Sequence, residues 1–258
     1  MRLKDRVAVV TGGGSGIGAA LCRAFATEGA AVAVTDLDLA AAESVATGIR
    51  EVGGRVEAWS FDVADAVGVE AAAAAVEVRL GPIAIWVNNA GVSFIVPFLE
   101  CTRETWELTQ RVNLTGAFVG CQAAVRRMLP QRRGSIINMS SQSGRQGNSH
   151  YAAYCASKFG IIGLTQSLAI EFAPQGIRVN VLCPGVVFTP LWDRMIADYA
   201  AKRKMKPEAV RPYLEGKIPM GRLCTPEDVA QAAVFLASDE SAYITRQALN
   251  INGGALMT

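Results

Sequence analysis

The chain has 258 residues, 51% of them hydrophobic and 19% charged, with a formal net charge of +2. That composition supports a substantial buried core, and the near-neutral balance gives no reason to expect nucleic acid or an anionic membrane as a partner. The six cysteines are scattered without a CxxC, and the single histidine, His150, has no metal-like spacing to any of them. Buried free thiols in a reducing compartment are expected, and no metal site.

At the start of the chain, "MRLKDRVAVVTGGG" is too short for a signal segment. No apolar run reaches membrane-spanning length, so a soluble, cytoplasmic protein is expected. β-Branched apolar runs then recur at residues 7–11, 31–35, 56–61, 83–87, 134–139, 178–183 and 248–251. Segments of helical period lie between them, beginning with Ile17, Leu21, Ala24 and Phe25, which stop at Gly29. Strand and helix in alternation predict βαβ units and a parallel sheet covered on both faces. With no solenoid repeat and no Pro/Ser-rich linker, one domain over 1–258 is expected. The rhythm breaks at about residues 187–217, where "WDRMIADYAAKRKMKPEAVRPYLEGK" reads as a helical insertion over a site, a lid. Its basic cluster, Lys202, Arg203, Lys204 and Lys206, reads as the solvated face of that lid.

The stretch "VAVVTGGGSGIGAAL" is strand, glycine loop, helix. Gly12, Gly16 and Gly18 remove side chains where the chain turns, where backbone nears a phosphate and where helix packs on strand. The helix N-terminus offers N–H groups and positive potential to a pyrophosphate. The context fits, because Asp36 ends the second strand about twenty residues on. Its carboxylate can accept from both hydroxyls of an adenosine ribose, and a 2′-phosphate there would meet like charge. No Arg or Lys stands at Ser15 or Leu37 to offset this, so NAD is favoured over NADP. Against these readings stand a ligand-free tight turn for the glycines and a helix cap for Asp36, a duty Asp38 could serve as well.

Four motifs resemble the short-chain dehydrogenase/reductase family: "TGGGSGIG" at 11–18, "NNAG" at 88–91, "YCASK" at 154–158 and "PGVVFTP" at 184–190. They stand in family order over essentially the whole chain. The resemblance implies a doubly wound, Rossmann-type parallel sheet of seven strands, a nicotinamide cofactor and a homotetramer. It also implies residue roles. Tyr154 matches the catalytic acid/base and Lys158 its partner. Ser141, thirteen before the tyrosine, matches the substrate-orienting serine in preference to Ser140. Asn113, in "RVNLTGAF", matches the asparagine that holds a proton-relay water. Asp62 and Val63 match adenine contacts, Asn89 the ribose-side asparagine, and Thr189 and the backbone near Val187 the nicotinamide carboxamide contacts. Ser15, Ile17, Ala90, Gly91, Pro184 and Gly185 are implied cofactor neighbours within the same motifs.

The chemistry requires such a pair. A base must take a hydroxyl proton while hydride leaves carbon, and a tyrosine with a pKa near ~10 is a poor base at neutral pH. A cation about 4 Å away is worth up to ~4 kcal/mol at an effective dielectric near 20. Burial opposes it, so a smaller net downward shift is expected. Tyr154 and Lys158 at i,i+4 share a helix face. From those two residues alone, an amphipathic phenol and a snorkelling lysine would be the plainer reading. Tyr151 reads as pocket wall or core.

For substrate, Gln142 after Ser141, the loop "MSSQSGRQG" and the lid entry "PGVVFTPLWD" resemble polyol dehydrogenases of this family, such as sorbitol dehydrogenases. Gln142, Asn148, His150 and Trp192 could supply polar and stacking contacts. The alternatives are a small vicinal-diol (butanediol/acetoin) dehydrogenase, a ketoacyl-type reductase, and a cofactor-binding scaffold without turnover. Near the C-terminus, Arg246 stands where family members often carry glycine, which predicts strain in a left-handed turn.

Overall fold

The computed structural model describes residues 1–257. The elements alternate as the apolar periodicity predicts: β1 (Val7–Thr11), α1 (Gly16–Thr27), β2 (Ala31–Asp36), α2 (Leu39–Glu51), β3 (Val56–Ser60), α3 (Ala66–Leu80) and β4 (Ile83–Asn88). Then come α4 (Arg103–Gln110), α5 (Gly116–Met128), β5 (Gly134–Met139), α6 (Ala152–Phe172) and β6 (Ile177–Pro184). Three short helices follow, α7 (Pro190–Asp193), α8 (Ile196–Arg203) and α9 (Pro207–Glu215), before α10 (Pro226–Ala237) and β7 (Ala248–Ile251). Strand ends differ from the sequence expectation by one residue in β2, β3, β4 and at each end of β6. Backbone pairing carries past the last β-branched residue, as at Asp36, which pairs with Ser60.

The seven strands form one parallel sheet in the order β3-β2-β1-β4-β5-β6-β7. Strand side chains alternate between two buried layers. Ala8, Val10, Val32, Val34, Ile85 and Val87 pack with α1, α2 and α10, through Leu21, Phe25, Ile49, Val229 and Ala233. Val7, Val9, Ala33, Trp86 and Ile136 face the other way, onto α3, α5 and α6 through Val69, Val76, Val119, Ala123 and Ala169. With both faces covered, the strands are near-continuous apolar runs rather than alternating ones.

The chain runs outward from β1 to β3, returns, and resumes at β4 on the other side of β1. Between β1 and β4 the winding therefore reverses, and a crevice opens beyond the strands' carboxyl ends. The segment 187–217 folds over that crevice around its own apolar cluster, which includes Tyr151, Trp192, Tyr199, Val210 and Leu214. Among the described residues no helix is long and apolar enough to cross a membrane. Five of the six cysteines are buried, Cys101 only partly.

Candidate active site

A cavity of about 750 Å³ runs along the crevice, from Asp36 and Asp62 past Gly12, Gly16, Gly18 and Asn89 to Ser141, Tyr154, Lys158 and the lid. At its glycine end the loop is built for close approach. Gly12 and Gly16 have φ of 63° and 50°, a region that glycine enters without steric cost. A Cβ at Gly18 would lie 1.9 Å from the Gly12 carbonyl oxygen, so helix α1 can sit against the loop only without one. Ser15 precedes α1 with no side-chain cap, and no acidic residue occupies the first turn. The helix N–H groups thus keep their positive end for an anion. Thr11 knits the loop to β4: its hydroxyl accepts from the N–H groups of Asn89 and Ala90 at 3.0 and 3.1 Å. The Asn89 amide donates to the carbonyls of Thr11 and Gly12 at 2.9 and 3.2 Å. Asn89 is therefore first a brace for the glycine loop, and its amide nitrogen is spent there.

Asp36 does not cap a helix. Asp38 takes that duty, accepting from Ala40 and Ala41 at 2.9 and 3.2 Å. The Asp36 carboxylate instead accepts from the N–H of Gly14 at 3.0 Å and of Asp38 at 3.1 Å, which aims it at the cavity beside the loop. Leu37 beside it is 73% exposed. Asp62 accepts from the Ala64 N–H and pairs with Arg111 at 2.6 Å, and both contacts hold its carboxyl below the usual carboxylate range, the backbone one foremost. Val63 lies against Gly116, where a Cβ would come within 2.7 Å of its side chain.

At the other end, the sharp turn after β5 presents Ser141, and α6 presents Tyr154 and Lys158. Ser141 accepts from the Ser143 N–H at 3.1 Å and hydrogen-bonds the Tyr154 phenol. Neighbouring Ser140 is consumed elsewhere, since its hydroxyl donates to the Lys158 carbonyl at 2.8 Å and pins α6 to the end of β5. Lys158 is 4% exposed. Its ammonium donates to the Met139 carbonyl at 2.8 Å and lies 5.5 Å from the centre of the Tyr154 ring. Burial pulls its pKa down to about 8. The phenol moves the other way: burial pushes Tyr154 up to about 12, partly offset by the Ser141 hydrogen bond. The expected downward shift is absent. Desolvation is the largest influence on the phenol, and Lys158 is not among the groups that offset it.

Asn113 lies in a π-helical turn, Arg111–Thr115, between α4 and α5. Such turns recur where a helix must bend around a site. Its side chain is fully engaged: Oδ1 accepts from the Val92 N–H at 2.8 Å, and Nδ2 donates to the Val92 carbonyl at 2.9 Å and to Ser157 at 3.0 Å. The amide ties the loop after β4 to α6, so any hold on a water falls to the backbone of the turn.

Pro184 ends β6, and Gly185 donates to the Ile251 carbonyl at 2.9 Å. A Cβ on Gly185 would meet Asn252 at 3.1 Å and Gln142 at 3.6 Å. Val187 bridges to Cys224. The Thr189 side chain closes on Gly16, 3.1 Å from where its Cβ would be, so the lid entry touches the glycine loop. Ile17, Ala90, Gly91, Gln142, Asn148 and Trp192 line the cavity as well. Trp192 stacks on Phe188 at 5.0 Å and meets Tyr199 edge-on at 5.5 Å. His150 does not line it. That residue turns at a φ of 64° and uses its carbonyl to hold the Val96 N–H, so it shapes the loop instead of facing a ligand.

The lid's basic cluster is the solvated face expected except at Lys202. Lys202 turns inward, with its ammonium 4.8 Å from the Tyr151 ring and donating to the Ser149 carbonyl. Arg203 lines the cavity while staying exposed to solvent, as Lys204 and Lys206 are. Sequence reasoning missed this because a charge run on an amphipathic helix looks solvated. The nearby tyrosines, Tyr199 and Tyr213, were the available signal. Among the described residues no cluster of metal-ligating side chains occurs.

The geometry joins a phosphate-type glycine loop, an exposed-edge carboxylate and a serine–tyrosine–lysine group in one crevice. A family profile described as enoyl-(acyl carrier protein) reductase matches residues 12–256. D-threitol dehydrogenase of Mycolicibacterium smegmatis is 43% identical over 98% of this chain and 94% of its own. Galactitol 2-dehydrogenase of Agrobacterium fabrum is 39% identical over the whole of both chains. The crystal structure of a gluconate 5-dehydrogenase from Burkholderia cenocepacia J2315, in complex with NADP and tartrate, superposes with a TM-score of 0.90 at 34% identity, covering 98% of this chain and 96% of that one. Matching over its full length in sequence and fold, the chain belongs to the short-chain dehydrogenase/reductase family, whose members here are alcohol oxidoreductases.

Proposed function

We propose that the protein is an NAD-dependent dehydrogenase that interconverts a secondary alcohol of a polyol and its ketone. The observation that carries this reading is the single cavity that reaches from Asp36 to Tyr154 and is roofed by the lid. Its residues fit a dinucleotide. Gly12, Ser15, Gly16, Ile17 and Gly18 would hold the pyrophosphate, and Asp36 the adenosine ribose. Asp62 and Val63 would border the adenine. Asn89, Ala90, Gly91, Lys158, Pro184, Gly185, Val187 and Thr189 would border the nicotinamide half. Three carboxylates, Asp36, Asp38 and Asp62, line the adenosine end, and its one guanidinium, Arg111, is tied to Asp62. A 2′-phosphate would meet net negative charge, which favours NAD over the NADP bound by the gluconate 5-dehydrogenase.

A nicotinamide held by these residues would supply the acceptor or donor of hydride for the alcohol carbon. The chain's own residues handle the proton and the orientation. Ser141 positions the substrate oxygen and donates where charge grows on it. Tyr154 gives its proton in reduction and, as phenolate, takes one in oxidation. A phenol pushed up to about 12 is ready to donate, so the resting site suits reduction. Oxidation requires the cation of Lys158, which its pKa of about 8 leaves charged at neutral pH. Asn113 acts by holding the loop after β4 on α6, and Gln142, Asn148 and Trp192 contact the polyol. The lid excludes water once substrate is in place.

The test is NADH formation from threitol, galactitol and sorbitol, beside butanediol and acetoin reduction. Faster turnover of at least one polyol supports the reading. Far better turnover of butanediol or acetoin than of every polyol would replace it with the vicinal-diol alternative.

A further inference from the structure

The inner end of the lid carries a cation that proton and hydride transfer do not use. Arg203 closes α8 and lines the cavity. Its guanidinium lies over two rings, 5.8 Å from the centre of Tyr199 and 5.7 Å from that of Tyr213. The groups that act on its charge are the phenols of Tyr199, Tyr213 and Tyr151, with no carboxylate among them. Tyr151 is the pocket wall, its ring 6.2 Å from that of Tyr154. Arg203 therefore stands on the lid side of the cavity, on the substrate side of Tyr151 and away from the adenosine end.

Charge is divided along the cavity. Its acidic lining side chains, among the described residues, are Asp36, Asp38 and Asp62, all at or just past the ends of β2 and β3. The lid end is lined by Lys158, Arg194 and Arg203 with no acidic side chain. A guanidinium set beside two phenol rings, with no carboxylate paired to it, keeps N–H donors for a ligand in the cavity. A neutral hydroxyl uses one such donor weakly, whereas a carboxylate takes two in a charge-assisted pair roughly twice as strong.

We infer that Arg203 binds a carboxylate at the far end of the substrate, so that the cavity takes a polyhydroxy acid in preference to the neutral polyol of the same carbon chain. The inference rests on the reading of the cavity as an alcohol site, but its decisive measurement is binding, which needs no turnover. Calorimetric titration of the enzyme–NADH complex with D-gluconate and with sorbitol compares one six-carbon chain with and without the charge. Gluconate is expected to bind at least ~10-fold more tightly, with the advantage shrinking as salt rises. Arg203→Gln is expected to bring the ratio to within about twofold, and Arg203→Lys to retain part of it. Lys204→Gln, an exposed neighbour outside the lining, should keep the wild-type ratio, which separates a local fork from general lid charge. Arg203 is itself solvent-exposed, so its substitution does not threaten the core. Equal affinities in the wild type, or a ratio that survives Arg203→Gln, would overturn the inference. Tighter binding of sorbitol 6-phosphate than of gluconate would overturn the carboxylate assignment. Selective gluconate binding with no oxidation of either compound would remove the alcohol reading and leave the anion site standing.

Discussion

Tyr154 and Lys158 meet burial with opposite consequences, because burial disfavours the charged form of each. The phenol rises to about 12 and the ammonium falls to about 8. Oxidation needs phenolate, so kcat/KM for an alcohol should rise with pH, and the reverse reaction should fall. Lys158→Ala removes the cation that favours phenolate, so the rising limb should move to higher pH, with residual activity recovering only in alkali. A pH–rate profile of the variant checks this, and an unmoved limb would detach the lysine from the tyrosine. Asp36→Ala should mainly raise KM for NAD and erode a preference over NADP expected to be ~10² in kcat/KM, a few kcal/mol at a partly exposed site. Comparable use of both cofactors by the unaltered enzyme would contradict the ribose assignment. These residues were legible in the sequence. The four-residue spacing put Tyr154 and Lys158 on one helix face, and Asp36 stood at the end of a strand. The dominance of burial over the Tyr154 phenol was not legible, nor was Lys202's inward turn. Both depend on how the lid and α6 pack, which local periodicity does not encode.

At the scale of elements, a capped start fixes α10 and a π-helical bend precedes α5. Pro226 opens α10 after Thr225, whose hydroxyl accepts from the Asp228 N–H at 3.2 Å while Asp228 accepts from the Thr225 N–H at 2.9 Å. Thr225→Ala should cost about 1 kcal/mol in urea unfolding. Asp228 also pairs with Arg222, which with the cap holds its carboxyl down at about 2. A carboxyl depressed on folding stabilises above its ordinary range and loses that contribution as pH falls toward 2. Arg222→Gln should therefore flatten the acid limb of stability between about pH 4 and 2. Arg246 has a φ of 65° and donates its N–H to Val179 at 2.8 Å, so the left-handed turn expected from the sequence is there. Arg246→Gly should relieve part of the ~1–2 kcal/mol cost of that conformation and raise the melting temperature. The π-helical turn at Asn113 left no local mark. "RVNLTGAF" shows a polar residue among apolar ones, and only the Val92 and Ser157 partners explain why the helix bends there.

Across the whole molecule, seven alternating strands and helices were enough to predict a parallel, doubly wound sheet, because each strand needs both faces covered. The reversal between β1 and β4 gathers loops from distant parts of the chain, and family motif order anticipated that gathering better than any single segment could. Large apolar side chains remain exposed on and before the helices that flank the site, with Phe98, Leu99 and Ile170 at 72%, 95% and 58%. Such surface is expected to be covered in a homotetramer, and light scattering at micromolar concentration should give four times the 27.3 kDa chain mass. A monomer would contradict it. The central claim is that Tyr154 moves the proton in NAD-linked alcohol oxidation. Its most direct test is NADH formation from a polyol by Tyr154→Phe beside the wild type, with NADH binding measured on the same samples. Turnover should be lost and binding kept, since the glycine loop and Asp36 are untouched; near-normal turnover by the Phe enzyme would remove Tyr154 from the reaction.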